Sequence, residues 1–145
     1  MRYFLDTNIF VFYALGGGNL DKDVKHIFND YENIIYISSE VIKETMHLIR
    51  HKKIDIKQWK SPNDVWKSIK EWNFVIDYVK EEHVRTLGNL VTAKDHKDPA
   101  DHIIIAQAIT NKMPIISSDG QFRHYKQQGL DLVFNNTHEK NKIAR

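Results

Sequence analysis

The sequence predicts an α/β fold, a three-layer α/β/α sandwich with a largely parallel central sheet. Three observations predict it. Short, fully apolar runs recur along the chain, as strands buried on both faces require. Stretches with apolar residues at helical spacing separate them, and strands alternating with helices favour parallel pairing. Aspartates stand just after two of the apolar runs, at the strand ends where such folds gather their ligands.

In chain order, Tyr3-Phe4-Leu5 is the first strand. Gly16-Gly17-Gly18 reads as a loop; it lacks the Lys-Ser/Thr of a phosphate cradle. A helix follows from Asp21, with Val24, Ile27, Phe28 and Tyr31 on one face. Ile34 to Ile37 is the second strand. Ser38 and Ser39 can cap the next helix, whose apolar face is Val41, Ile42, Thr45, Leu48 and Ile49. Ser61-Pro62-Asn63-Asp64 combines a cap, a proline at the first helical position and an acid in the first turn. Val65, Trp66, Ile69 and Trp72 continue it as a core-facing stripe. Phe74 to Tyr78 is the third strand, and Val84, Leu87 and Val91 mark a further helix. Asp98-Pro99 opens another, with Ile104, Ile105, Ala108 and Ile109. Pro114 to Ser117 and Leu130 to Phe134 are the last strands. The reading is one domain over residues 1–134 and a polar, frayed tail over 135–145.

Composition bounds the function. The chain has 145 residues, 41% hydrophobic and 28% charged, an ordinary globular balance for one domain. No apolar run reaches the roughly 18 residues of a membrane span, and Asp6 interrupts the N-terminal run that a signal peptide would need. With no cysteine there is no disulfide or thiolate metal site. That composition fits a reducing interior, and the expected location is the cytoplasm. The formal net charge of +2 is compatible with a polyanionic partner. Lys43, Arg50, His51, Lys52, Lys53, Lys57 and Lys60 fall in one stretch and, exposed together, make a phosphate track. The eight histidines form no zinc motif of the HExxH kind.

The chemistry rests on acids. Asp6 follows the first strand and Asp119 follows Pro114 to Ser117, so a parallel sheet brings both to one edge. Asp98 and Asp101 bracket the start of a helix, where Asp98 reads first as its cap and Asp101 as a first-turn acid. Glu44 lies at the margin of its helix's apolar stripe and can reach over the sheet, whereas Glu40 points to solvent. Converging carboxylates repel one another, and a divalent cation relieves this. Hard oxygen ligands suit Mg²⁺ or Mn²⁺, whose usual use is phosphoryl chemistry.

These residues resemble a known family. Leu5-Asp6-Thr7-Asn8 is similar to the opening of PIN-domain nucleases. Asp98-Pro99-Ala100-Asp101-His102-Ile103-Ile104-Ile105-Ala106-Gln107-Ala108 resembles a motif of the VapC-like toxin branch, and Pro114 to Asp119 followed by Phe122 and Tyr125 resembles its last acidic motif. The Ser38 to Leu48 segment with Glu44 resembles its second. The resemblance runs from residue 3 to about 134. It implies a PIN-like sandwich, often dimeric, that cuts RNA with Mg²⁺ or Mn²⁺ and pairs with an antitoxin. Asp6, Glu44, Asp101 and Asp119 would be the catalytic, metal-binding acids, supported by Asn8, Asp98 and Ser118. Two residues depart from the pattern. His102 stands where the branch often has arginine, and Ser118 replaces a threonine while keeping its hydroxyl.

Two other readings use the same residues. A magnesium-dependent phosphatase would use Asp6 as nucleophile, but such enzymes want a second aspartate where Asn8 stands. A non-catalytic PIN-like RNA-binding module would not need the full set of acids.

Overall fold

The computed structural model describes residues 1–137. Five parallel strands form one sheet in the order β3-β2-β1-β4-β5. They are β1 (Arg2–Leu5), β2 (Ile34–Ser38), β3 (Val75–Asp77), β4 (Ile115–Ser117) and β5 (Leu132–Phe134). Helices α1 (Thr7–Ala14), α2 (Lys22–Asn29), α3 (Ser39–Arg50), α4 (Pro62–Glu71), α5 (Glu81–Asn89) and α6 (Pro99–Asn111), with a 3₁₀ segment over Gly120–Gln128, complete an α/β/α sandwich.

Strand order explains where a site can form. From β1 the chain steps outward to β2 and β3, then returns past β1 to lay down β4 and β5. The sheet therefore changes direction between β1 and β4, and the crevice beyond their carboxyl ends is the usual ligand position in open α/β sheets. Register then fixes the neighbours: Leu5 pairs with Ile116, so the next residues, Asp6 and Ser117, lie side by side. Phe4, Leu5, Ile115 and Ile116 are fully buried, as central strands covered on both faces should be.

Helix α1 is absent from the sequence reading, for a physical reason. Ile9, Phe10, Val11 and Phe12 are all buried, so the helix has no polar face and no 3.6-residue contrast to detect. Phe10 stacks against Trp59 with ring centroids 5.4 Å apart, and Tyr13 meets Trp72 edge-on at 4.9 Å. The expected core stripe of α4 is corrected at Trp66, which is 43% exposed; Trp59, in the preceding loop, takes the buried place instead. Trp59 is held there by donating its ring N–H to Ser68 Oγ at 2.9 Å. Tyr31, Val84 and Val91 likewise lie exposed rather than on a core face, Tyr31 and Val91 because both fall beyond the ends of their helices.

The tail also needs a correction at its first residue. Asn135 is fully buried: its amide donates to the Asn19 carbonyl and to Ser118 Oγ, and its oxygen accepts from the Asp21 N–H. The expected fraying of 138–145 lies outside the described residues.

Candidate active site

Asp6 ends β1 and caps α1. Its Oδ1 accepts the Ile9 N–H at 3.0 Å and its Oδ2 accepts the Ser117 hydroxyl, in a carboxylate only 2% exposed. Ser117 Oγ in turn accepts the Asp119 N–H at 3.0 Å. Asp119 caps the 3₁₀ segment through Gln121 N–H at 2.9 Å, and Asp98 caps α6 through Ala100 N–H at 3.0 Å. Asp6, Asp98 and Asp119 are thus all helix caps, which alone would account for aspartate there.

Asp101 is not explained that way. It is the third residue of α6, in the first turn, yet it is only 3% exposed, and its Oδ2 is 3.1 Å from Nε2 of His96, which is itself buried. Ligand atoms of His96, Asp101 and Asp119 all lie within 4.8 Å of one another. Burial holds the His96 imidazole below its ordinary pKa, with the charges of Asp119 and Asp98 opposing that shift, so the ring is neutral near pH 7. His102, the residue that departs from the family pattern, places its Nε2 2.8 Å from the His96 carbonyl.

Glu44 stands a short way off. It lines a groove of about 420 Å³ with Lys43, His47, Arg50 and, from α6, Asp98 and Pro99. Helices α3 and α6 are locked together beneath it, because Ser38 caps α3 through Glu40 N–H and also donates to Gln107 of α6. Glu40 pairs with Lys43 at 3.0 Å, as a first-turn surface acid would. Arg50, His51, Lys52, Lys53, Lys57 and Lys60 are all exposed.

The structure therefore brings Asp101 and Asp119 together, ties Asp6 to them through Ser117, and sets Glu44 and Asp98 on the adjoining groove. Asn8 and Ser118 flank the same strand ends. Sequence reasoning missed His96, and it placed Ser117 and Tyr125 within the last acidic motif without giving either a role. Ser117 carried a signal, as the only hydroxyl within β4 and two residues before Asp119; His96, in a polar loop, carried none.

A hydrated divalent cation fits these donors. The nearby atoms are carboxylate oxygens and the His96 ring nitrogen, and next to Asp6 the side-chain oxygens of Thr7 and Asn8 are buried without a hydrogen-bond partner among the described residues. Leaving such groups unsatisfied costs about 1–3 kcal/mol each, which the water shell of a bound cation would offset.

A PIN domain model matches residues 3–128, and the chain belongs to the PIN domain family. No curated protein sequence matches the chain. Among solved structures, the fold is similar to VapBC2 from Rickettsia felis bound to a promoter DNA fragment, at 17% identity and TM-score 0.66, covering 94% of this chain and 100% of that one. DNA-bound VapBC from Salmonella typhimurium is similar at 15% identity and TM-score 0.66, covering 92% and 98%. VapC20 from Mycobacterium tuberculosis, a toxin that cleaves the sarcin-ricin loop, is similar at 18% identity and TM-score 0.57, covering 84% and 93%. No helix among the described residues is long and apolar enough to cross a membrane.

Proposed function

We propose that the protein is a metal-dependent endoribonuclease that hydrolyses RNA phosphodiester bonds, using Mg²⁺ or Mn²⁺ held by Asp6, Asp101 and Asp119, with Glu44 as the fourth acid. The observation that carries this reading is the convergence of Asp101 and Asp119 within 4.8 Å, beside the β1–β4 switch point where Asp6 sits. Bound there, a divalent cation would activate water and neutralise charge on the scissile phosphate. The chain's own residues do the rest. Ser117 aims the Asp6 carboxylate, Asp98 and Asp119 fix the helix ends that carry the site, and Asn8 and Ser118 add neutral polar groups at its rim. The groove along α3 leads away from the acids past Lys43 and Arg50, which would track the RNA backbone.

The deciding experiment is RNA cleavage with Asp6→Asn and Asp101→Asn controls. Both variants should fold and lose cleavage. Turnover like the unaltered protein's by either, at equal metal, would overturn the assignment. The reading of a non-catalytic RNA-binding module predicts binding without cleavage in all these proteins.

The same reading makes the protein the toxin of a type II toxin–antitoxin pair, acting in the cytoplasm as a homodimer. An inhibitor of this site would set an arginine or lysine against the acids. It would also cover an apolar groove with a short helix. Expression alone should slow growth, and co-expression of a neighbouring antitoxin should restore it. Normal growth with soluble, active protein would remove the toxin role and leave the nuclease standing.

A further inference from the structure

We propose that His96 is a positioning residue for Asp101, holding its carboxylate through an Nε2–H donor, and that it is not a ligand of the cation. The inference rests on the reading of the acids as a cation site, and concerns which of the three clustered groups a cation meets.

The hydrogen-bond accounting decides the tautomer. The Tyr125 hydroxyl, fully buried, accepts the Ala93 N–H at 3.0 Å and lies 2.7 Å from His96 Nδ1. Having one proton and, among the described residues, no other hydrogen-bond partner, it donates that proton to Nδ1. Nδ1 of the neutral ring is then an acceptor, so the ring's own proton sits on Nε2, 3.1 Å from Asp101 Oδ2. The opposite tautomer would set an imidazole lone pair against a carboxylate. The backbone is fixed as well, because His102 Nε2 lies 2.8 Å from the His96 carbonyl and packs edge-on against the His96 ring, 4.7 Å between centroids. Both ring nitrogens are therefore committed within the protein. Asp101 is turned by His96 as metal-binding groups are commonly turned by a hydrogen-bonded neighbour, an arrangement whose loss typically costs about ten- to a hundredfold in metal affinity or activity. The route from Tyr125 to His96 to Asp101 ties the 3₁₀ segment that follows Asp119 to the loop before α6, so the two acids are held by one chain of contacts.

The test uses the full chain with Mn²⁺ as probe. Ring-nitrogen NMR of the unaltered protein should show His96 protonated on Nε2, before and after Mg²⁺ is added. Pulsed EPR of bound Mn²⁺ should show no directly bonded nitrogen. His96→Phe should weaken Mn²⁺ binding about ten- to a hundredfold, with kcat falling and KM for RNA unchanged. His96→Gln, whose amide can replace the Nε2 donor, should recover most of both. A nitrogen bonded to Mn²⁺, an Nδ1–H tautomer, failure to bind Mn²⁺, or a folded His96→Phe with unchanged affinity would each overturn the proposal. Should His96→Phe fail to fold, His96→Gln and the two spectra decide it, and a Gln variant that binds Mn²⁺ much more weakly than the unaltered protein counts against it. An unaltered protein that binds Mn²⁺ with this His96 dependence but cuts no RNA would sink the nuclease reading and leave His96 in place.

Discussion

Ser117 holds Asp6 across the sheet: a hydroxyl at the end of β4 donates to a carboxylate at the end of β1, 111 residues earlier. The same oxygen accepts the Asp119 N–H. One side chain therefore sets the distance between two acids that neither strand could fix alone.

Ser117→Ala should keep the sheet, since the site is fully buried and alanine is smaller. It leaves the Asp119 N–H without its acceptor and Asp6 without one donor, a loss of about 1–3 kcal/mol in stability. Activity should fall about ten- to a hundredfold as the Asp6 carboxylate loses its aim. Chemical denaturation and initial rates on one RNA substrate check both. Unchanged rates in a folded variant would remove Ser117 from the site.

Cleavage should stop in EDTA and return with Mg²⁺ or Mn²⁺. Its products should carry 5′-phosphate and 3′-hydroxyl ends, because water is the proposed attacker. End-labelled products resolved against standards read this directly. A 2′,3′-cyclic phosphate would mean that the RNA's own hydroxyl attacks, and persistence after chelation would point to chemistry that uses no cation.

The exposed cations at the end of α3 and in the turn after it should act on binding rather than on chemistry. Replacing Arg50 and Lys53 together by alanine should raise KM, leave kcat alone, and reduce the slope of log KM against log salt by roughly 1.4, about 0.7 for each phosphate contact on a single strand. Steady-state kinetics at several salt concentrations measure it. A fall in kcat at constant KM would place these cations nearer the reacting bond.

Asp64 gives a pH dependence with a definite sign. Its Oδ2 accepts the Lys60 and Ser61 backbone N–H groups at 2.9 and 3.0 Å, and these bonds hold its carboxyl below the ordinary value. A depressed carboxyl stabilises the fold at pH above its unfolded value, roughly 4, and that contribution is lost as pH falls through the lower folded value. Asp64→Ala should therefore lower Tm at pH 7, and the gap from the unaltered protein should close in acid. A gap that stays constant down to pH 2 would show that the charge of Asp64 contributes nothing.

The residues most legible in the sequence were those whose neighbours repeat or whose chemistry is local. Apolar runs gave β1, β2 and β4, and Asp98-Pro99 announced α6 because capping is a matter of adjacent residues. Helix α1 was silent because burial on every side erases periodicity. Trp66 and Trp59 exchanged roles because helical spacing names a stripe without saying where it faces. In the site, Asp6 and Asp119 could be read from strand ends. Their link through Ser117 could not, since it depends on register, and register joins residues far apart in the chain. His96 was invisible for the same reason, being defined by Tyr125, 29 residues later, rather than by its own surroundings.

The position of β1 at the centre of the sheet has a consequence for synthesis. β1 (Arg2–Leu5) is made well before β4 (Ile115–Ser117), its neighbour across the switch point. Until the ribosome has released Ser117 and Asp119, Asp6 faces an empty sheet edge, and the Tyr125 that fastens His96 does not yet exist. A nascent chain can begin to fold through β1, β2 and β3 while its acids remain scattered. Whatever the finished cluster does, a partly translated copy cannot yet do it.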